Sequence, residues 1–296
     1  MAESRIPVDL FNPGQVFACM GFLEAAEVLL GEAEGGFDWE GVSPGFRLRT
    51  AGEENPIATV LEFLAEAQVR WLSPSEDLVE RDGGPTIVQK GISQAAEPDA
   101  AYLPAEIVGR FNGQERSIAI GYWADGTSRF STVFKKSTNG ASSHVRFENA
   151  MSSIRLADIA EVADDPLGMV AWTLSLFRLD PRGSVSPIHA GFSPDSLRKG
   201  GINMRVATYP ICEALAVIGL EHARPKIEGQ RRFRYCAWSG LSRERRSLSG
   251  LLSPELARAG LNGALPFMQV RHFVVEHDEV KKGGDRAITR VSEEKT

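Results

Sequence analysis

From Pro13 to Leu30 apolar residues recur at helical spacing: Val16, Met20, Leu23 and Leu30 lie along one line, with Glu27 among them. Asn12 stands at the N-cap position. Pro13 falls at the first helical position, where a missing N–H costs nothing, and Gly31 falls just past the last turn. A second Asn-Pro start, Asn55-Pro56, opens the run IATVLEFLAEAQVRWL. Its Ile57, Val60, Leu61 and Leu64 form an amphipathic stripe, and Ser73-Pro74 stops it. Between the two helices Phe46–Arg49 alternates as a strand does. The polar, Gly/Pro-rich stretch 73–103 reads as a loop or a weakly structured insertion.

Further along, SIAIGYW and SRFSTVFK flank Ala124-Asp125-Gly126-Thr127, which is turn chemistry between β-rich runs. Residues 135–143 form a polar loop, 144–162 reads as a helix, and Asp165-Pro166 opens another whose Met169 and Trp172 belong to a core. Strand-like SVSPIHAGF precedes the loop DSLRKGGINMR and the helix YPICEALAVIGLEHARP, closed by Pro225. RFRYCAW then alternates, with Arg232 and Arg234 on one face and Phe233 and Tyr235 on the other. MQVRHFVVEH is a half-buried strand, and the tail from Lys281 is polar and expected to fray. No repeat array of 20–50 residues stands out, although Ala18–Phe22 and Ala216–Leu220 share A-x-x-G followed by an apolar residue. Hairpins mixed with helices, without regular βαβ alternation, predict an α+β fold of antiparallel hairpins packed with several helices, in one or two lobes.

Charge sharpens this division. Residues 1–106 carry 19 acids and 6 bases, whereas the whole chain carries 39 and 33, so the remainder holds 20 acids and 27 bases. The expected layout is an acidic lobe over 1–110, an α+β lobe with basic loops over 111–280, and a polar tail over 281–296. A chain divided this way can meet a polyanion with one face and protein with another. Three scattered cysteines, Cys19, Cys212 and Cys236, form no disulfide framework and fit a reducing, cytoplasmic compartment. No charged-then-apolar leader opens the chain, and no apolar run approaches the ~18 residues of a membrane span, so no membrane partner is expected.

Catalytic motifs are few. Gly41-Val42-Ser43-Pro44-Gly45 matches G-x-S-x-G, but the residue after the serine must offer its N–H to an oxyanion, and Pro44 has none. No cysteine pair has zinc-ligand spacing, H-E-x-x-H is absent, and neither a Walker A loop nor G-x-G-x-x-G occurs. His277-Asp278 sits at a strand end, away from further ligands. No catalytic residue, metal site or cofactor is therefore expected. Two basic segments are more informative. Arg129, Lys135, Lys136 and Arg146 bracket a hydroxyl- and amide-rich loop containing Asn139 and Gly140, suited to phosphates. Between Lys226 and Arg246 seven bases, Arg231, Arg232 and Arg234 among them, alternate with Phe233, Tyr235 and Trp238, which could stack on unpaired bases or fill a core. Lys199, Asn203 and Arg205 in the Gly-rich loop RKGGINMR form a third, smaller group.

Three stretches resemble one family. Asn12–Glu24 is similar to the amino-terminal helix of CRISPR-associated proteins from the subtype U branch of type I systems, also called subtype G. Tyr209–Pro225 and the aromatic strand after it resemble that family's Pro-x-x-E-x-L-A-x-x-G-L-x-x-x-R-P stretch and its continuation. GYWADGTSRFSTVFKKSTNGASS resembles its Trp-Asp hairpin and basic loop. The resemblance implies a cytoplasmic, non-catalytic subunit of a Cascade-type surveillance complex, large-subunit-like or accessory. It would contact guide RNA and/or target DNA while guide pairing reads the sequence, alongside other protein subunits. The competing expectations are an enzyme with a loop-built site and a purely structural scaffold.

Overall fold

Both Asn-Pro starts act as helix caps. In a computed structural model that describes residues 1–40, 43–71, 78–81, 84–87, 105–120, 159, 210–229, 232–240, 250–279 and 286–294, helix α1 spans Pro13–Leu30. The Asn12 side chain accepts the Gln15 N–H at 3.2 Å, and the Gly31 N–H donates to the Glu27 carbonyl at 3.0 Å. Helix α2 spans Pro56–Glu66, the Asn55 side-chain Oδ1 accepting from the Ile57 and Ala58 N–H groups at 3.1 and 3.2 Å. Each cap satisfies donors that the first turn leaves without intrahelical partners.

Strands β1 (Ala2–Pro7), β2 (Glu34–Asp38) and β3 (Gly45–Thr50) form an antiparallel sheet in the order β1-β3-β2. Phe46 and Leu48 point into the core while Arg47 and Arg49 point out to Glu3 and Glu34, as the FRLR alternation requires. Strand β4 (Gln68–Trp71) follows α2, so the N-terminal elements run βαββαβ. The sequence predicts helix as far as Leu72, but α2 ends at Glu66, and Gln68–Trp71 pair antiparallel with β7 (Ala105–Phe111) instead.

Within the stretch predicted as loop, β5 (Leu78–Arg81) and β6 (Gly84–Ile87) form a small hairpin. Strand β7 turns into β8 (Gln114–Ala119) through Asn112 and Gly113, at φ 50° and 76°. These positive angles suit a tight two-residue turn, and Asn-Gly is the pair that adopts them most readily. Ser117–Ala119, expected to pair forward across Asp125-Gly126, pairs backward with Ile107 and its neighbours, and the expected forward partner lies outside the described residues. The predicted turn at 124–127, the loop at 135–143, the helix after Pro166, the strand at 184–192 and the loop at 195–205 lie outside the described residues. Of the predicted helix 144–162 only Ile159 is described; it is helical and buried.

Helix α3 spans Pro210–His222, followed by β9 (Lys226–Gly229), β10 (Arg232–Ser239), helix α4 (Pro254–Leu261), β11 (Gln269–Glu279) and β12 (Arg286–Glu294). The strands form one antiparallel sheet in the order β12-β11-β10-β9. The tail is thus a correction: residues 286–294 do not fray but pair along β11, with Val291 packed against the core.

The crossing of α1 and α3 occupies the centre. A β-carbon on Gly21 would stand 1.9 Å from the Leu215 carbonyl oxygen, and one on Gly219 would stand 2.0 Å from that of Phe17. The two A-x-x-G stretches are therefore reciprocal contact points, each glycine admitting the other helix's backbone. Helix α1 also lies against β2 and β3, and its Phe17 meets Tyr235 of β10 edge-on at 5.9 Å. Residues 13–26 are buried on every side, not along one stripe. By length and composition α1 could cross a membrane, contrary to the expectation from the sequence, but 83% of it is packed inside the protein. One hydrophobic cluster takes residues from both sides of position 110, from Ile6 through Leu64 and from Ile211 through Val275. The fold is α+β, with small antiparallel sheets around packed helices.

Candidate nucleic-acid interface

Of the residues proposed from sequence to meet nucleic acid, Arg232 and Arg234 lie on β10. Arg129, Lys135, Lys136, Asn139, Arg146, Lys199, Arg205 and Arg231 lie outside the described residues. Strand alternation sends Phe233, Tyr235 and Ala237 inward and turns both guanidiniums outward. The inward side is fully committed. The Tyr235 hydroxyl donates to the Leu10 carbonyl at 2.6 Å, and its ring stacks on Phe273 at 5.2 Å. Trp238, on the other face, is covered by α4 and meets Phe37 edge-on at 5.1 Å. Phe233, Tyr235 and Trp238 are all buried, so none of the three is available to stack on a base. The aromatics interleaved with the arginines build the core, and only the cations remain at the surface.

Those cations are paired. Glu228 reaches from β9 on one side: its carboxylate lies 3.0 Å from Arg232 Nε and 2.9 Å from Arg234 Nε. From the far side Glu294 of β12 reaches across β11, with Oε1 2.7 Å from an Arg232 terminal nitrogen and Oε2 2.7 Å from one of Arg234. Each of the two carboxylates thus bridges both guanidiniums. The Arg234 Nε contact with Glu228 is close but misaligned, so that N–H has no hydrogen-bond acceptor among the described residues. Side-chain exposure runs from 20% at Glu228 to 43% at Arg232, so water reaches all four groups. Pairs this exposed contribute about 0–1 kcal/mol each. Exposed Lys226 lies opposite Arg234 in register, and exposed Arg290 lies opposite Glu276. On the inner face Arg271 pairs bidentately with Glu293 at 2.7 and 2.6 Å and lies over the Trp39 and Phe273 rings.

The same outer face carries a thiol–imidazole contact. Cys236 Sγ lies 3.2 Å from His272 Nδ1, directly across the β10–β11 ladder. A nucleophilic cysteine needs its thiolate, but burial pushes the Cys236 thiol up to about 11, against the smaller opposing pull of Arg234 and Lys226. The backbone at Gly263 also closes over both groups, since a β-carbon there would stand 3.2 Å from each side chain. The contact is packed, and the thiol keeps its proton.

A third polar cluster lies inside the helices. Glu24 of α1, only 4% exposed, receives both arms of Arg258 from α4 at 2.7 and 2.6 Å. His222 of α3 stands 3.9 Å from the same carboxylate, and burial holds its pKa below the ordinary 6.5. This cluster ties three helices together away from the sheet face. Among the described residues no group of three or more His, Cys, Asp or Glu side chains could hold a metal ion.

Sequence reasoning finds the two arginines and their outward orientation but misses Glu228, Glu294, Cys236 and His272. Glu294 had a signal: Ile288, Thr289 and Val291 are β-branched residues in a stretch otherwise read as a polar tail. No protein-family profile, curated protein or solved structure matches this chain.

Proposed function

We propose that this chain is a non-catalytic, cytoplasmic subunit of a CRISPR-RNA-guided surveillance complex, of the subtype U branch that its sequence resembles. In that role it holds the sugar-phosphate backbone of guide RNA or target DNA, with Arg232 and Arg234 as part of the contact surface. The basic segments around Lys135, Lys136 and Arg146 and around Lys199 and Arg205 supply further phosphate contacts in this reading, and neighbouring subunits complete the assembly.

The observation that supports this reading is the meeting of Gly21 with Leu215 and of Gly219 with Phe17. Two of the resembling stretches, residues 12–24 and 209–225, come together there as one packed unit at the centre of the molecule. Accidental likenesses in separate surface segments would have no reason to interlock. Two guanidiniums facing water on the strand that follows supply the electrostatic part. Phosphate contacts position a nucleic-acid strand without reading its bases, which suits a subunit whose complex reads sequence by pairing.

Charge reversal at Lys135 and Lys136 tests the reading. Binding of single-stranded RNA should weaken, and the slope of log affinity against log salt should flatten by about 1.4, two lost phosphate contacts at roughly 0.7 each. An unchanged slope removes these lysines from the interface. Copurification of the wild-type chain with a guide RNA from cells carrying a CRISPR array tests the assembly.

A further inference from the structure

We propose that β12 is a built-in competitor for the arginine pair: the Glu294 carboxylate occupies the place of a nucleic-acid phosphate and gives way to one on binding. The inference rests on the reading of this chain as a nucleic-acid binder and adds how that site is controlled. Its basis is geometric. Glu294 presents one oxygen to Arg232 and the other to Arg234, both at 2.7 Å. Two non-bridging oxygens of a phosphodiester make the same kind of two-pronged contact with a pair of guanidiniums.

The two carboxylates of the cluster are not equivalent. Glu228 sits on the strand adjacent to the arginines with its side chain 20% exposed, whereas the Glu294 side chain is 37% exposed and reaches over an intervening strand. Among the described residues strand β12 is an edge strand, paired only with β11, and Glu294 is its last residue. An exposed pair at a sheet edge is held weakly, so an incoming anion can replace it at little cost. With Glu294 in place, Arg232, Arg234, Glu228 and Glu294 sum to zero charge. With its carboxylate turned into solvent, the same group without Glu294 carries one net positive charge, and exposed Lys226, opposite Arg234, adds a second in either state.

The test is fluorescence anisotropy of a labelled oligouridylate with the full chain, the Glu294→Gln variant, and that variant carrying Arg232→Gln and Arg234→Gln as well. Glu294→Gln should bind about two- to fivefold more tightly at low salt, the size of one exposed ion pair. Its salt dependence should steepen by about 0.7 in log–log slope. The added arginine substitutions should abolish both gains. Equal affinity for wild type and Glu294→Gln overturns the competitor role while leaving nucleic-acid binding intact. Absence of binding by either protein overturns both. Should Glu294→Gln detach β12, seen as lost protection of its amides from deuterium exchange, Glu294→Asp carries the test. Its shortened carboxylate cannot span both guanidiniums, so it must also tighten binding, though by less, and failure to do so refutes the proposal.

Discussion

The crossing of α1 and α3 and the outer face of the β9–β12 sheet hold the chain together by opposite means. At the crossing, backbone meets backbone, and the space for a single methyl group is already taken by a carbonyl oxygen. On the sheet face, long flexible side chains meet through charge with water around them. A contact of the first kind admits no substitute, because moving it means moving a helix. A contact of the second kind is exchangeable, since another anion of similar shape can take a carboxylate's place. Under the proposed function, stability and binding fall to different parts of the molecule, and substitutions should separate them.

The largest effect should come from Gly21→Ala or Gly219→Ala. Neither carbonyl oxygen can retreat without displacing its helix, so each variant should lose upwards of about 3 kcal/mol. Urea unfolding would report a lower midpoint at an unchanged slope. A loss no greater than that of an ordinary surface substitution would mean that the crossing is looser than described.

An intermediate effect should follow pH. Burial disfavours the imidazolium of His222, so the unfolded chain takes up that proton more readily than the folded one. Stability from this residue is therefore full above the ordinary value of 6.5 and declines as pH falls below it toward the depressed folded pKa. Thermal melts across that range should show the decline in wild type and a shallower one in His222→Gln. Parallel curves would assign the acid sensitivity to other groups.

The smallest effect on stability should belong to Arg232→Gln combined with Arg234→Gln. Both side chains are water-accessible, so the double change should cost less than about 1 kcal/mol, read from the same urea titration. A loss comparable to that of the glycine variants would erase the contrast and make the cluster structural.

Local chemistry made much of this fold legible. Asn12-Pro13 and Asn55-Pro56 announce helix starts because a cap and a proline act within one turn of the chain. FRLR and RFRYCAW show their inward and outward residues because a strand alternates whatever it pairs with. The end of α2 was not legible, because Gln68–Trp71 leave helix only to meet a partner near residue 107. Asn112-Gly113 carried a hairpin signal too, which the Asp125-Gly126 signal further along overshadowed. The arginines of the site stood out as cations. Their neutralisation did not, since Glu294 lies 62 residues from Arg232 and reaches it only once β11 stands between them. The fate of the aromatics likewise depends on Phe17, Leu10 and Phe37, all from the first forty residues.

Helix α1 is made well before much of what encloses it: α3 and the Tyr235 that bonds to Leu10 lie some 200 residues downstream, and that hydrogen bond alone spans 225 positions. A ribosome adding roughly 5–20 residues per second needs tens of seconds or less to deliver them. Throughout that interval a strongly apolar helix has no finished shelter. The nascent chain should therefore depend on a chaperone that shields α1 until α3 has been made, and its yield should be sensitive to anything that slows elongation across the intervening region.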